Sequence, residues 1–187
     1  SNLREAAGVV IDRGNVDRLE LQWSIALPAV NTMRSQPVVA GDTVFLGSKG
    51  THLLALDRGS GCVRWSFAAE APIHSALTLD KTSDGVATLF FADEMAMVYA
   101  VDATTGRLRW RERVKWFPTS IVSGPISFHA DRLYVPLSSF EVAAAGLPAH
   151  ECCRSHGGIQ ALDAITGKAA WRFDTTPHAA KTSVNRD

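Results

Sequence analysis

An eleven-residue pattern occurs three times in this chain, and its copies align with one another without a gap. The copies cover residues 55–65, 100–110 and 161–171, and each reads Ala-x-Asp-x-x-(Thr/Ser)-Gly-x-x-x-Trp. Their tryptophans, together with Trp23 in a similarly flanked segment, lie 42, 45 and 61 residues apart. Intervals of about 40 to 50 residues are typical of four-stranded propeller blades, if the third interval holds an insertion of about 16 residues.

The spacing within each copy predicts a β-hairpin, because the chain has only four residues in which to reverse between the aspartate and the returning strand. The aspartates can accept hydrogen bonds from the backbone of the turn, and the glycines supply the positive φ that such turns require. We expect each tryptophan to leave the returning strand and dock between neighbouring sheets. These residues are Asp57, Asp102 and Asp163, Gly61, Gly106 and Gly167, and Trp65, Trp110 and Trp171.

Two more strands precede each hairpin, and no stretch shows helical periodicity over three turns. The predicted strands cover residues 37–39 and 43–47, 74–79 and 87–91, and 121–128 and 132–135. The sequence therefore predicts an all-β propeller of four-stranded antiparallel blades, since a β-sandwich would not explain three gapless matches. The predicted units are the last strand of a truncated blade at 18–27, blades at 28–67, 72–113 and 118–174, an insertion at 138–157, and the start of another blade at 177–187.

Charge and hydropathy exclude several classes of partner. The 187 residues contain 19 lysines and arginines and 19 aspartates and glutamates, so no net positive field attracts nucleic acid or anionic lipid. No apolar run reaches the roughly 18 residues that a membrane span needs, and residues 1–5 lack the layout of a signal peptide. We therefore expect neither nucleic-acid binding nor a membrane span.

The repeat resembles the tryptophan-docking motif of the PQQ-type propeller superfamily, which includes the eight-bladed quinoprotein alcohol dehydrogenases. The resemblance covers nearly the whole chain and implies about four blades of an eight-bladed ring. Related propellers without a quinone serve as outer-membrane assembly factors and sensor domains, so the repeat specifies the fold and not the chemistry.

The insertion adds a second resemblance, because two serines and a glutamate precede the adjacent Cys152 and Cys153, and a basic residue and a glycine follow them. This arrangement is similar to that of the polyvinyl-alcohol dehydrogenases. The resemblance implies a vicinal disulfide lying against the quinone plane. Cys62 lies on a predicted strand next to Gly61, so we expect it to be buried and free. Reduced thiols are the alternative, and His150 and His156 beside the cysteines also offer soft ligands for zinc, although the usual Cys-x-x-Cys spacing is absent. No Cys-x-x-Cys-His motif for c-type haem is present.

The resemblance implies that the cofactor-binding residues are Cys152, Cys153, Arg154, His156, Glu141, Ser139 and Arg34. Each has an alternative role: Glu141 as a solvated acid, Ser139 as a turn cap, and Arg34 as a surface cation. His156 stands where relatives carry an arginine that pairs with a quinone carboxylate, so Arg154 or protonated His156 would take that role.

The expected function is oxidation of an alcohol, secondary or polymeric, by PQQ with calcium, with electrons passing to a c-type cytochrome. The alternative is a non-catalytic propeller that acts as a scaffold or ligand-binding module. A disulfide between the cysteines implies a periplasmic or secreted location. The chain is expected to be a fragment that binds PQQ weakly and is inactive alone, to associate with the remaining blades of its parent or with a second copy, and to lack the catalytic residues, which are expected beyond Asp187.

Overall fold

A computed structural model describes residues 11–27, 30, 32–147, 150 and 154–176. Nearly all regular structure in these residues is β. The helices are a 3-10 turn at Val16–Arg18 and α1 at Glu141–Ala144, and no helix in the described ranges has the length and apolar character of a membrane span. The strands are β1 Val38–Ala40, β2 Thr43–Gly47, β3 His52–Asp57, β4 Val63–Ala68, β5 Thr78–Lys81, β6 Ala87–Ala92, β7 Met97–Asp102, β8 Leu108–Arg113, β9 Ser120–Ile121, β10 Ser127–His129, β11 Arg132–Ser139, β12 Gly158–Asp163 and β13 Ala169–Asp174.

These strands form three separate antiparallel sheets, each following the order of the chain. The first sheet has the order β1-β2-β3-β4, the second β5-β6-β7-β8, and the third β10-β11-β12-β13, with β9 paired to the end of β11. One repeat therefore gives one sheet, as the sequence predicts. The predicted all-β propeller fold is confirmed by this arrangement and by the propeller structures to which it is similar.

The hairpin turn between β3 and β4 has the predicted chemistry. Asp57 accepts hydrogen bonds from the backbone N–H groups of Gly59 and Ser60 at 3.0 and 2.8 Å, and Gly61 has φ +73°. The side chain of Arg64 and the Ser60 donors stabilise the ionised carboxylate, which lowers the pKa of Asp57 far below its usual range. Asp102 and Asp163 accept the same pair of backbone bonds in the second and third sheets.

The tryptophans link one sheet to the next. Trp65 lies flat against Gly106, where an added Cβ would meet the ring at 2.7 Å, and its Nε1 donates to the Ala103 carbonyl at 3.2 Å. Trp110 lies in the same way against Gly167 and donates to the Ala164 carbonyl at 2.9 Å. The turn glycine thus both closes the hairpin and receives the tryptophan of the preceding sheet.

The ends of the series differ from its middle. Trp23 covers Gly61 and donates to the Arg58 carbonyl at 2.8 Å, yet residues 19–27 form no strand pairing within the described chain. Trp171 has the motif position but is 46% exposed, because no turn in the described residues covers it. Trp23 therefore docks on a turn glycine although its own segment is not part of a sheet.

Two apolar cores fill the spaces between successive sheets. The core between the first and second sheets is built around Phe91 and Tyr99, whose rings stack 4.9 Å apart. The core between the second and third sheets contains Phe90 and Leu133, both fully buried. The cores explain why β6 and β7 are buried along almost their whole length, since the second sheet packs on both faces.

Some local predictions need correction. Strand β5 begins at Thr78 and not at residue 74, because Ser75 is used to link the chain to Ala92 by two side-chain hydrogen bonds. The predicted strand at 121–128 is divided into β9 and β10, and β11 extends to Ser139 to pair with β9. Cys62 is a free thiol as predicted, but it is exposed and not buried, because it lies at the end of the hairpin turn before β4 begins.

Candidate functional site

The antiparallel topology places the connections between successive sheets and the insertion on one side of the sheets. Because each strand reverses the direction of the one before it, the segments that follow β2, β4, β6, β8 and β11 all leave from the same side, and the hairpin turns lie on the other. The first strands β5 and β10 approach each other there, and Thr78 Oγ1 donates to the Ile126 carbonyl at 2.5 Å. We call the side from which residues 140–157 leave β11 the insertion side.

Glu141 is the most heavily bonded acid on the insertion side. Its residue is 5% exposed, and Oε1 accepts from the Arg154 backbone N–H at 2.8 Å and lies 3.2 Å from Nε2 of His150. Its Oε2 accepts from the Ser155 backbone N–H at 2.7 Å and also from the Ser155 hydroxyl. The Ser155 hydroxyl, followed by the Arg154 and Ser155 backbone donors and His150, lowers the pKa of Glu141 to about 2.

Ser139 supports the same loop from the end of β11. Its Oγ accepts from the Glu141 backbone N–H at 3.0 Å, lies 2.6 Å from the Ser155 hydroxyl oxygen, and donates to Thr119 Oγ1 at 3.0 Å. The Phe140 backbone N–H donates to the Thr119 carbonyl at 2.9 Å. The segment before β9 therefore fixes the start of the insertion.

His156 is held by a carboxylate at the end of the last strand. Its Nε2 lies 2.6 Å from Asp174 Oδ1, and its ring meets Phe117 edge-on with 4.8 Å between centroids. Hydrogen bonds from His156 and then Arg172 lower the pKa of Asp174. His156 is thereby oriented by protein groups within the third sheet.

Trp116 packs on the insertion side of the third sheet. Its Nε1 donates to Gln160 Oε1 at 3.1 Å, and the Arg172 guanidinium lies 4.5 Å from its ring centroid. An added Cβ on Gly158 would approach the same ring at 2.5 Å, so glycine is needed there for close contact.

Arg34 lies on the insertion side before β1, in a different place from the insertion loop. It is exposed, and its charge acts on His74, which follows the first sheet. Burial, then the charges of Lys49 and Arg34, lower the pKa of His74 despite the opposing charge of Glu94, whose Oε1 lies 2.9 Å from Nε2. The Ser35 hydroxyl beside Arg34 is buried and has no hydrogen-bond partner among the residues that the structure describes.

The structure thus brings together four of the predicted site residues, Ser139, Glu141, Arg154 and His156, around one loop. Cys152 and Cys153 lie outside the described residues. The sequence reasoning missed Thr119, Ser155, Asp174 and Trp116. Trp116 carried a usable signal, because it is the one tryptophan of five that lies neither in a copy of the repeat nor in the similarly flanked segment of Trp23.

The donor set does not fit a calcium ion at Glu141. Calcium needs several oxygen ligands with free lone pairs, whereas each oxygen of this carboxylate faces two protein donors. Within the described ranges, no three His, Cys, Asp or Glu side chains cluster closely enough to hold a metal ion. Positive charge on the same side comes from Arg34 and from Lys49, whose Nζ lies 3.8 Å from Glu94 Oε1.

The depressed pKa of Glu141 predicts a specific pH dependence of stability. Its ionised form stabilises the fold above the ordinary pKa of 4.5, and this contribution is lost as the pH falls through about 2. We expect Glu141→Gln to be less stable than the native chain near neutral pH, with a difference that shrinks below about pH 4.5. Urea unfolding of both proteins across this range measures it. Glu112→Gln, on the exposed part of β8, is the control, and a difference for Glu141→Gln that stays constant with pH would contradict the assignment.

The comparisons with known proteins agree with this architecture. The family model described as "Outer membrane protein assembly factor BamB" matches residues 12–146 and 83–186. The polyvinylalcohol dehydrogenase of Sphingopyxis sp. (strain 113P3) is 34% identical over 169 residues, which cover 89% of this chain and 26% of that protein. The polyvinylalcohol dehydrogenase of a Pseudomonas species is 31% identical over 179 residues, covering 94% of this chain and 28% of that protein.

Solved structures show the same fold at lower identity. A europium-containing methanol dehydrogenase superposes with a TM-score of 0.66 at 21% identity, covering 88% of this chain and 28% of its own. BamB from Moraxella catarrhalis gives a TM-score of 0.55 at 20% identity, covering 83% and 38%. The chain spans about a quarter of the length of the curated relatives described above. Three repeats, three sheets and a family model that matches most of the sequence lead to one conclusion: the chain belongs to the family of PQQ-type propeller repeats whose model is described as "Outer membrane protein assembly factor BamB".

Proposed function

We propose that this chain forms part of a PQQ-dependent alcohol dehydrogenase. The observation that carries the proposal is similarity to two polyvinylalcohol dehydrogenases over 89% and 94% of the chain, at 34% and 31% identity. PQQ, when bound, supplies a quinone that accepts two electrons from an alcohol. The part played by this chain is to bind and orient: Arg34 offers positive charge to the quinone carboxylates, while Glu141 and Ser139 hold the insertion in place.

The finer features of this function follow from the same resemblance. The substrate is a secondary or polymeric alcohol, the electron acceptor is a c-type cytochrome, and the protein works in the periplasm or outside the cell. Calcium belongs to the proposal only through residues other than Glu141, whose lone pairs are occupied. The ring is completed by further blades or by a second copy, so this chain alone binds PQQ weakly and does not oxidise alcohol.

A non-catalytic scaffold is the second candidate, and two observations favour it. The matching family model carries the description of an outer-membrane assembly factor. His156, which stands where an arginine would pair with the quinone, is directed to Asp174 and packs on Phe117. Quinone binding separates the candidates, because a scaffold has no need of it.

Equilibrium dialysis of the chain against PQQ, with the bound quinone measured by its absorbance, tests the proposal. We expect weak but saturable binding, reduced about fivefold or more in Arg34→Ala, since one charge pair near a surface contributes on the order of 1 kcal/mol. Arg107→Ala is the matched control, because Arg107 is exposed in a hairpin turn on the opposite side. Absence of saturable binding, or equal losses in both variants, would exclude the site and favour the scaffold.

A further inference from the structure

A cavity of about 360 Å³ lies between the first and second sheets and plays no part in the proposed function. It lies beside the β7–β8 hairpin turn, so it is on the side opposite the insertion side. The rings of Phe45 and Trp65, whose centroids are 5.8 Å apart, form its apolar wall together with Leu79. The other lining residues are Ala40, Thr43, Arg64, Ala87, Ala103 and Thr104. A cavity of this size falls in the range of about 300–1,000 Å³ that small-molecule sites have.

The junction between the second and third sheets has the same framework. Phe90 is the counterpart of Phe45, because each pairs with the first alanine of a repeat copy. Phe128 is the counterpart of Leu79, because they are the second residues of β10 and β5, the equivalent strands of their sheets. The second junction therefore has a phenyl ring where the first has a leucine.

The Phe128 ring packs tightly in the second junction. It stacks on Phe90 with 5.7 Å between centroids and 11° between planes. Phe90 lies 6.2 Å from the Trp110 ring at an angle of 37°. The equivalent pair of the first junction, Phe45 and Trp65, has almost the same geometry, 5.8 Å and 41°. The first junction therefore presents the same stacking surface to a ring that comes from elsewhere.

Smaller side chains at two further positions widen the cavity. Ala87 is the counterpart of Asp131, since the carbonyl of each accepts a backbone hydrogen bond from the alanine that follows a repeat aspartate. Thr104 is the counterpart of Ile165, since each is the fifth residue of its repeat copy. The Asp131 carboxylate also bonds to the backbone of the β5–β6 turn at 2.9 Å, across the second junction. The cavity of the first junction thus results from several smaller residues and not from Leu79 alone.

We infer that this cavity is a binding site for a small neutral molecule with a single aromatic ring, bound where Phe128 lies in the second junction. The ring stacks on Phe45 and packs beside Trp65. Aromatic rings in such arrangements attract each other beyond the effect of area burial, so a flat ring is favoured over a saturated one. The site lies on the opposite side of the sheets from the proposed quinone, and its ligand is a separate molecule.

Arg64 defines the polar end of the site and the charge of the ligand. Its Nη1 donates to Thr43 Oγ1 at 3.0 Å, and its Nη2 donates to Asp57 Oδ2 at 2.6 Å. The guanidinium has further N–H groups that can bind a hydroxyl on the ring, because it carries five donors in all. Since Asp57 already balances its positive charge, a phenolic hydroxyl suits the site better than a carboxylate.

Binding of phenol to the whole chain tests the site, with isothermal titration calorimetry as the measurement. We expect saturable binding with a dissociation constant on the order of 1 mM, since a ligand of about seven non-hydrogen atoms has few contacts to offer. Cyclohexanol carries the same hydroxyl without a flat ring and should bind about fivefold more weakly. Absence of saturation with phenol, or equal affinity for the two alcohols, would overturn the inference.

Leu79→Phe places a ring in the cavity from the chain itself. We expect it to abolish saturable phenol binding and to raise the urea concentration at which the chain unfolds, because filling a cavity stabilises a fold. Val39→Phe is the matched control, because Val39 is the second residue of β1, is exposed and does not line the cavity. It should bind phenol as the native chain does. Phenol binding that is unchanged in the folded Leu79→Phe variant contradicts the site.

Thr104→Ile keeps the site testable if Leu79→Phe does not fold, because Thr104 is exposed in the hairpin turn. The third repeat copy carries isoleucine at this position, and the larger side chain narrows the cavity. We therefore expect phenol to bind about fivefold more weakly. An unchanged phenol affinity in this variant would place the ligand elsewhere and show the inference to be wrong. A failure of PQQ to bind concerns the proposed function only and leaves these results as they are.

Discussion

Replacement of Trp110 by alanine is expected to lower the free energy of unfolding by about 3–5 kcal/mol, the range for loss of a large aromatic side chain from a packed site. The ring lies on the Gly167 turn of the third sheet, donates to the Ala164 carbonyl at 2.9 Å, and packs beside Phe90 at 6.2 Å between centroids. Its loss therefore opens the junction between the second and third sheets and leaves a carbonyl without its donor. Urea or thermal unfolding followed by circular dichroism measures the change.

The chain contains its own control for this experiment. Trp171 has the same place in the repeat, but the residue is 46% exposed, and its ring centroid lies 5.9 Å from that of Tyr134 in the same sheet. We expect Trp171→Ala to cost less than about 1 kcal/mol, as is usual away from packed sites. Equal losses in the two variants would show that the repeat tryptophan acts within its own sheet and not between sheets.

The fold was predictable because the residues that form each hairpin turn lie close together in the sequence. Asp57 bonds to residues two and three positions later, and Gly61 must adopt a positive φ within the same turn, so the hairpin can be read from eleven residues. The exact start of β5 was not predictable in this way. Its boundary depends on Ser75, which bonds to Ala92 in a neighbouring strand and so departs from local strand propensity.

The resemblance predicted which residues lie around the insertion, but it did not predict which groups they bind. The resemblance singled out Ser139, Glu141, Arg154 and His156, and the structure places all four around one loop. What each group binds depends on contacts across 9 to 18 positions, such as Glu141 with His150 and His156 with Asp174. No periodicity or spacing rule reports such contacts, and for that reason the four donors around Glu141 could not be predicted from the sequence.

Replacement of Gly106 by alanine should be the second large effect, at about 3 kcal/mol. Gly106 has φ +73°, which costs an alanine about 1–2 kcal/mol, and its added Cβ would lie 2.7 Å from the Trp65 ring. Forcing the ring away from the turn adds an overpacking cost of about 1–3 kcal/mol and disturbs the Trp65 bond to the Ala103 carbonyl.

Gly41 separates the two contributions to the Gly106 result, because it also has a positive φ, +56°, but no atom lies within 4 Å of an added Cβ. Gly41→Ala should therefore show the backbone cost alone, about 1–2 kcal/mol. The excess in Gly106→Ala measures contact between turn and tryptophan, and tryptophan fluorescence should shift only in that variant. If the two alanine variants unfold at the same urea concentration with the same emission, the glycine serves the hairpin only, and docking of Trp65 does not require its close approach.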